Sequence, residues 1–235
     1  MGRIFETRKH KIFARMDKMA KAFTKIGKEI AIAVKTGGAD PNNNPRLRLA
    51  IQNAKGVNMP KDRVDAAIKR ATSKDSSNYE EIIYEGYGPH GVAMMIDCAT
   101  DNTTRTVANM RMYFSKGNGS LGTSGSVQFL FERKSIFTIS GEGINLEDLE
   151  LELIDYGAED IMEQENEIVI YTRFSDFGSM QKGLENKAIV AKSSEKQWIP
   201  LTTKEVSESE EEDVARLIGM LEDDDDVLEV YHNMS

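Results

Sequence analysis

Apolar residues recur along the first third of the chain at steps of three and four. Met16, Met19, Phe23, Ile26, Ile30 and Ala33 trace one stripe of a helix. It stops at Thr36-Gly37-Gly38, because glycine readily takes the left-handed turn that ends a helix. Asn44-Pro45 reads as the N-cap and first position of a second helix, with Leu47, Ala50, Ile51 and Ala54 inward and Gly56 at its end. Pro60 opens a third, with Asp62 in its first turn and Val64, Ala67, Ile68 and Ala71 on its buried side. Three amphipathic helices on short links predict a small bundle. The polar stretch from Ser73 to Asn78 reads as a linker.

Beyond the linker the period changes. Residues 80–85 and 91–99 read as strands joined by a turn at 86–90. A helix over 103–116 carries Val107, Met110 and Phe114 on one face, and Gly117 and Gly119 break it. A glycine-rich loop then leads into a strand at 127–133. A second α+β unit starts with a strand at 135–140 and a helix capped by Asn145, lined by Leu146, Leu149, Leu153 and Tyr156 and ended by Gly157. Strands around 160–162 and 167–172 follow, then a helix capped by Ser175 with Phe177, Met180 and Leu184 inward. A strand over 188–198 and Pro200 close the unit.

The tail offers one helix, with Val214, Leu217, Ile218 and Leu221 inward, and one strand at 227–233. These cannot bury a core alone, so the tail is expected to complete the sheet begun earlier. The expected fold is α+β: a basic three-helix bundle (1–78), a middle α+β domain (79–131 plus 201–235) and an inserted α+β domain (132–200).

Charge sharpens this division. Residues 1–75 hold 18 Lys and Arg against 7 Asp and Glu, a balance of +11, so the rest carries −20 of the net −9. A basic segment is an electrostatic footprint for a polyanion, and an acidic body limits the contact to one face. Arg3, Arg8, Lys9, Lys11 and Arg15 precede or open the first helix, and Lys18 and Lys25 lie beside its stripe. Arg46 and Arg48 stand at the start of the second helix, where the helix terminus also favours phosphate. Lys55 and Lys61, with Lys69 and Arg70, add to the field, and Arg105 and Lys116 flank the middle-domain helix as a second patch. Such cations neutralise phosphates and release counterions, so binding falls with salt. Reversing Arg46 and Arg48 to Glu is expected to weaken it with the fold intact.

Other chemistry has less support. Gly86–Gly91 and Gly117–Gly122 match G-x-G-x-x-G, but the first leads into a strand and the second follows a helix, so both read as turn glycines. The phosphate-cradling and H-E-x-x-H motifs are absent, and His10, His90 and His232 lie far apart. No catalytic constellation, metal site or cofactor is expected. Cys98 is the lone cysteine, which suits a reducing compartment, and it reads as a buried filler. The acidic run Glu222–Asp226 lacks calcium-loop spacing and reads as a solvated helix end, with room for contact to a partner. No run approaches a membrane span, and the basic start carries Glu6, Asp17 and Glu29, which favours a folded helix over a targeting peptide.

Several stretches together resemble the YebC/PmpR family of probable transcriptional regulators, whose mitochondrial relatives look like translational activators of cytochrome oxidase. They are FTKIGKEI (23–30), DPNNNPRLR (40–48), NMPKDRVDAAIKRA (58–71), IIYEGYGPHGVAMMIDC (82–98), DNTTRTVANMR (101–111), GSLGTSGSVQFLF (119–131) and LEDDDDVLEVYHN (221–233). The match is weakest in 132–200, and the opening MGRIFETRK differs from the commoner family start, which resembles AGHSKWANI. The resemblance implies three domains, a cytoplasmic setting and no cofactor. It also implies one of two roles, binding promoter DNA or assisting stalled ribosomes. The first expectation is a DNA-binding transcriptional regulator. The second is a ribosome-associated translation factor that binds RNA, and an enzyme comes last.

Overall fold

The computed structural model describes residues 3–73 and 78–235, with side chains described from Met19 onward. Helices α1 (Arg3–Gly37), α2 (Pro45–Gly56) and α3 (Lys61–Ala71) form the expected bundle. Its core joins Ile26, Ile30, Ala33 and Val34 of α1 to Leu47, Ala50 and Ala54 of α2 and Val64 and Ala71 of α3. Buried Asn44 makes the corner between α1 and α2. Its amide donates to the carbonyls of Ala33 (2.7 Å) and Gly38 (2.8 Å), and its oxygen accepts from the Leu47 amide (3.0 Å). One side chain thus ends one helix and caps the next. Met16 lies outside the described side chains, as does most of the linker.

Strands β1 (Glu80–Tyr87) and β2 (Ala93–Thr100) follow, then α4 (Thr103–Lys116) and the short β3 (Ser120–Leu121). The chain continues through β4 (Phe131–Ser140), α5 (Leu146–Ile154), β5 (Ala158–Gln164), β6 (Glu167–Arg173), α6 (Phe177–Asn186) and β7 (Ala191–Pro200). It closes with α7 (Glu208–Glu222) and β8 (Val227–His232). The strands form two antiparallel four-stranded sheets, ordered β3-β1-β2-β8 and β5-β6-β4-β7. The fold is α+β, with the second sheet unit inserted in the first.

In the first sheet β2 is central and covered on both faces. Met94, Ile96 and Cys98 meet Met110 and Phe114 of α4 and Val214, Leu217 and Leu221 of α7. Ala93 and Met95, on the other face, meet Val127, Phe131 and Trp198 at the root of the insertion. The second sheet buries Phe137, Ile139, Ile168 and Ile170 against Leu149 and Leu153 of α5 and Met180 and Leu184 of α6.

Three local expectations are corrected. The strands expected at 127–133 and 135–140 are one strand, β4, because residues 128–130 form a 3-10 turn and Arg133 and Lys134 continue the ladder. Ser175 does not cap α6; it lies in a 3-10 turn, and Asp176 holds the N-cap position without a side-chain bond. The acidic run is solvated only in part: Glu222, Asp223 and Asp225 are exposed, but Asp226 is 4% exposed and Asp224 accepts bonds from Asn109 and Tyr113.

The glycines of the two G-x-G-x-x-G matches serve packing. A Cβ on Gly86 would stand 2.6 Å from the Ser120 carbonyl oxygen, and one on Gly119 would stand 2.6 Å from that of Tyr87. Both are needed for the close approach of β1 and β3. Behind them Glu85, 4% exposed, accepts the amides of Gly125 (2.7 Å), Val127 (2.9 Å) and Gln128 (2.9 Å). A buried carboxylate therefore fixes the glycine-rich loop.

Candidate nucleic-acid interface

The lysines of α1 divide by position. Lys21, Lys25 and Lys28 recur at helical spacing beside the apolar stripe, so they share a flank of the helix. That flank meets the segment from Asp223 to Leu228. Lys21 pairs with Asp223 at 2.6 Å, and Lys25 donates to the Leu228 carbonyl at 2.9 Å. Lys28, 6% exposed, donates to the carbonyls of Ala99 (3.0 Å) and Asp225 (2.8 Å) and to Asp226 Oδ1 (2.7 Å). All three protons of the ammonium are used.

Asp226 is the matching hub. Its Oδ2 accepts from Arg105 (2.7 Å), Thr106 Oγ1 (2.9 Å) and Thr100 Oγ1 (3.1 Å). Burial disfavours its charge, yet the bonds from Lys28, Arg105 and Thr106 prevail and hold the carboxyl down at about 2. Part of the charge asymmetry along the chain is thus spent inside the molecule, docking the helical unit on the first sheet.

The expected binding residues fall into three groups. Arg3, Lys9, Lys11, Arg15 and Lys18 lie outside the described side chains. Lys25, Arg46, Arg48 and Arg105 are engaged internally. Where a phosphate contact was expected, Lys25 takes a docking role and Arg105 an ion pair within the first-sheet unit, to Asp226 at 2.7 Å and Asp101 at 2.9 Å. Arg46 pairs with Glu81, while Arg48 donates to the carbonyls of Pro41 (3.0 Å) and Asn42 (2.9 Å) and reaches Glu185 at 3.4 Å. Reversing these two arginines would therefore disturb unit contacts as well as any ligand. Lys55, Lys61 and Lys116 are exposed and, among the described residues, carry no ion pair.

Lys55 at the end of α2 and Lys61, Lys69 and Arg70 on α3 make an exposed cationic surface on the helical unit. Arg63 is also exposed there, with its guanidinium 5.6 Å from the Phe23 ring centre. Asp62 and Asp65 are interspersed on α3, so the field is patchy. Two cations that charge counting passes over, Arg133 and Lys196, sit where α2 meets the second sheet. They stood in stretches expected as plain strand, and no local pattern marks them out.

Chemistry beyond charge is sparse. His90 sits between Glu210 (3.3 Å) and Asp213 (3.1 Å) near the start of α7. Cys98 is buried, and burial pushes its thiol well above the usual range, so it is inert. Among the described residues no group of three or more His, Cys, Asp or Glu is placed to hold a metal ion, and no helix is long and apolar enough to cross a membrane.

Residues 3–74 match the model of the TACO1/YebC protein N-terminal domain, and residues 79–234 match that of the TACO1/YebC second and third domain. The chain belongs to the TACO1/YebC family. A relative from Cytophaga hutchinsonii, named a probable transcriptional regulatory protein, is 55% identical over 100% of this chain and 99% of its own. One of the same name from Myxococcus xanthus is 50% identical over 100% of both chains. A solved structure, a conserved hypothetical protein from Aquifex aeolicus, superposes with a TM-score of 0.78 at 37% identity, covering 92% of this chain and 90% of that one.

Proposed function

We propose that this protein regulates gene expression by binding nucleic acid, DNA first, through the exposed cations of α2 and α3. The observation that carries this is the contrast within the helical unit. Lys25 and Lys28 are consumed by the first sheet, whereas Lys55, Lys61, Lys69 and Arg70 face solvent without an acidic partner among the described residues. Cations left unpaired at the surface gain most from a phosphate backbone. The transcriptional names of the relatives favour DNA as the polyanion. On this proposal the protein acts in the cytoplasm, uses no cofactor and is not an enzyme.

One feature favours RNA on the ribosome as a second reading. Asp62 and Asp65 interrupt the cations of α3, which suits a few phosphate contacts made by shape more than a helix pressed into a major groove. Two measurements in low and moderate salt separate the readings: anisotropy of a labelled duplex from upstream of the chain's own gene, and co-sedimentation with ribosomes from the same cells. Salt-sensitive duplex binding without co-sedimentation supports DNA. Salt-sensitive co-sedimentation with weak duplex binding supports the ribosome, and failure of both removes the proposal.

A further inference from the structure

Cross-strand partners in an antiparallel sheet share a face. The pairings of Arg133 with Trp198 and of Ser135 with Lys196 therefore set four side chains together on one face of the second sheet. The guanidinium of Arg133 lies 4.1 Å from the Phe174 ring centre and 5.3 Å from that of Trp198. Lys196 Nζ lies 5.1 Å from Phe174. Among the described residues neither cation forms an ion pair.

Helix α2 packs beside this row, against the free edge of β7, where Asn53 donates to the Ser194 carbonyl at 3.4 Å. Arg46 comes from the same helix. Burial holds Lys196 below its usual range, and Arg46 and Arg133 add to the effect, with Glu81 and Glu29 opposing. Carboxyl groups border the row: Glu81 pairs with Arg46, Glu185 with Arg48, Asp97 accepts from Trp198 Nε1 at 3.1 Å, and Glu29 is raised to about 7.

The buried polar atoms of this junction are incomplete. Arg133 Nε and Ser135 Oγ on β4, and Asn53 Oδ1 and Arg48 Nε on α2, have no hydrogen-bond partner within the chain. Ser135 is 0% exposed. Buried polar groups are satisfied as a rule, so several without partners on neighbouring elements point to a ligand. Cations from three elements, Arg133, Lys196 and Arg46, with a guanidinium N–H to spare on Arg133, match a phosphate oxygen.

We propose that the junction of α2 with β4 and β7 binds a phosphate of a single nucleic-acid strand. This rests on the nucleic-acid reading above and names the form of the partner. Arg133 and Lys196 are half-buried beside an aromatic ring, a setting that a flexible strand enters more readily than a stiff duplex. The part-exposed ring of Phe174 adds a stacking surface beside them.

Trp198, the only tryptophan, reports on the site because Arg133 lies against it. The full chain is titrated with octathymidylate, octauridylate and inorganic phosphate, reading Trp198 fluorescence, and with the labelled octamers by anisotropy. The expected result is a saturable Trp198 change with at least one octamer. Its midpoint rises at least tenfold in Lys196→Gln and Arg133→Gln and by less than threefold in Arg216→Gln, a change at an exposed position of α7. Equal midpoints for phosphate and octamers would overturn the strand. Octamer binding by anisotropy, with Trp198 silent and Lys196→Gln unchanged, would overturn the site and leave the proposed function standing. Absence of anisotropy change with octamers and duplex alike would overturn both. Thermal melting checks each variant, and Lys196→Gln alone decides the test if Arg133→Gln unfolds.

Discussion

Lys28 and Asp226, 198 positions apart, form a buried ion pair on which the helical unit meets the first sheet. Each is further bonded, Lys28 to two carbonyls and Asp226 to Arg105, Thr100 and Thr106. The pair is therefore a fixed part of the fold. Removing one partner of a buried pair costs about 3–5 kcal/mol, because the other charge is left stranded. Lys28→Met and Asp226→Leu are each expected to lose that much in urea unfolding, and the double variant less than their sum. An additive double variant would show that the two charges do not act together.

Acid should attack the same contact. The folded carboxyl of Asp226 is held at about 2, below its ordinary 3.8, so the folded state binds its proton less readily. Its stabilising contribution is full above about pH 4 and falls as the pH drops from there towards about 2. Urea unfolding at pH 6, 4 and 3 is expected to show this slope in the wild type and a flatter one in Asp226→Asn. Parallel slopes would exclude Asp226 as its source.

Glu29 has the opposite sign. Burial first, then Glu229, raises it to about 7 from 4.5, with Arg46 opposing. A carboxyl raised on folding costs stability as the pH climbs from its unfolded value through its folded one. Glu29→Gln is expected to be neutral near pH 4 and stabilising at pH 8 by about 2 kcal/mol, after allowance for partial exposure. Denaturant midpoints at both pH values decide this, and a variant less stable at pH 8 contradicts it.

The three helices of the bundle were legible because each carries an unbroken apolar stripe and a glycine or proline at its ends. The return of the tail was legible because α7 and β8 could not bury Leu217, Leu221 and Val227 alone. The docking of α1 was not. Charged positions read as solvent-facing, and neither Lys28 nor Asp226 differs locally from its charged neighbours. Only the fold, which brings Ala99, Arg105 and the acidic run together, gives them partners. Glu85 was hidden likewise, since a carboxylate in a strand announces nothing about the three amides it will accept.

Glu85 supplies its own test. Glu85→Ala would leave the amides of Gly125, Val127 and Gln128 without their acceptor, at a cost of about 1–3 kcal/mol. Amide exchange at Val127 and Gln128 is expected to quicken at least tenfold while exchange in β6 holds. Unchanged protection would mean that the loop is held by other contacts.

Deleting residues 207–235 removes α7 and β8 and exposes Met94, Ile96 and Met110. The second sheet keeps its core of Phe137, Ile139, Leu149 and Leu153. Amide spectra are expected to lose the dispersion of the first sheet and retain that of residues 135–190. Collapse of both would show that the insertion depends on the tail.

The central claim is phosphate contact by the exposed cations of the helical unit, and the most direct measurement is duplex affinity against KCl concentration for the wild type and for Lys55→Glu/Lys61→Glu/Lys69→Glu. Each lost phosphate contact flattens the logarithmic salt slope by about 0.9. The expected result is weaker binding with a slope lower by about 2–3 and an unchanged circular dichroism spectrum. Equal affinity and equal slope in a folded triple variant would contradict the claim.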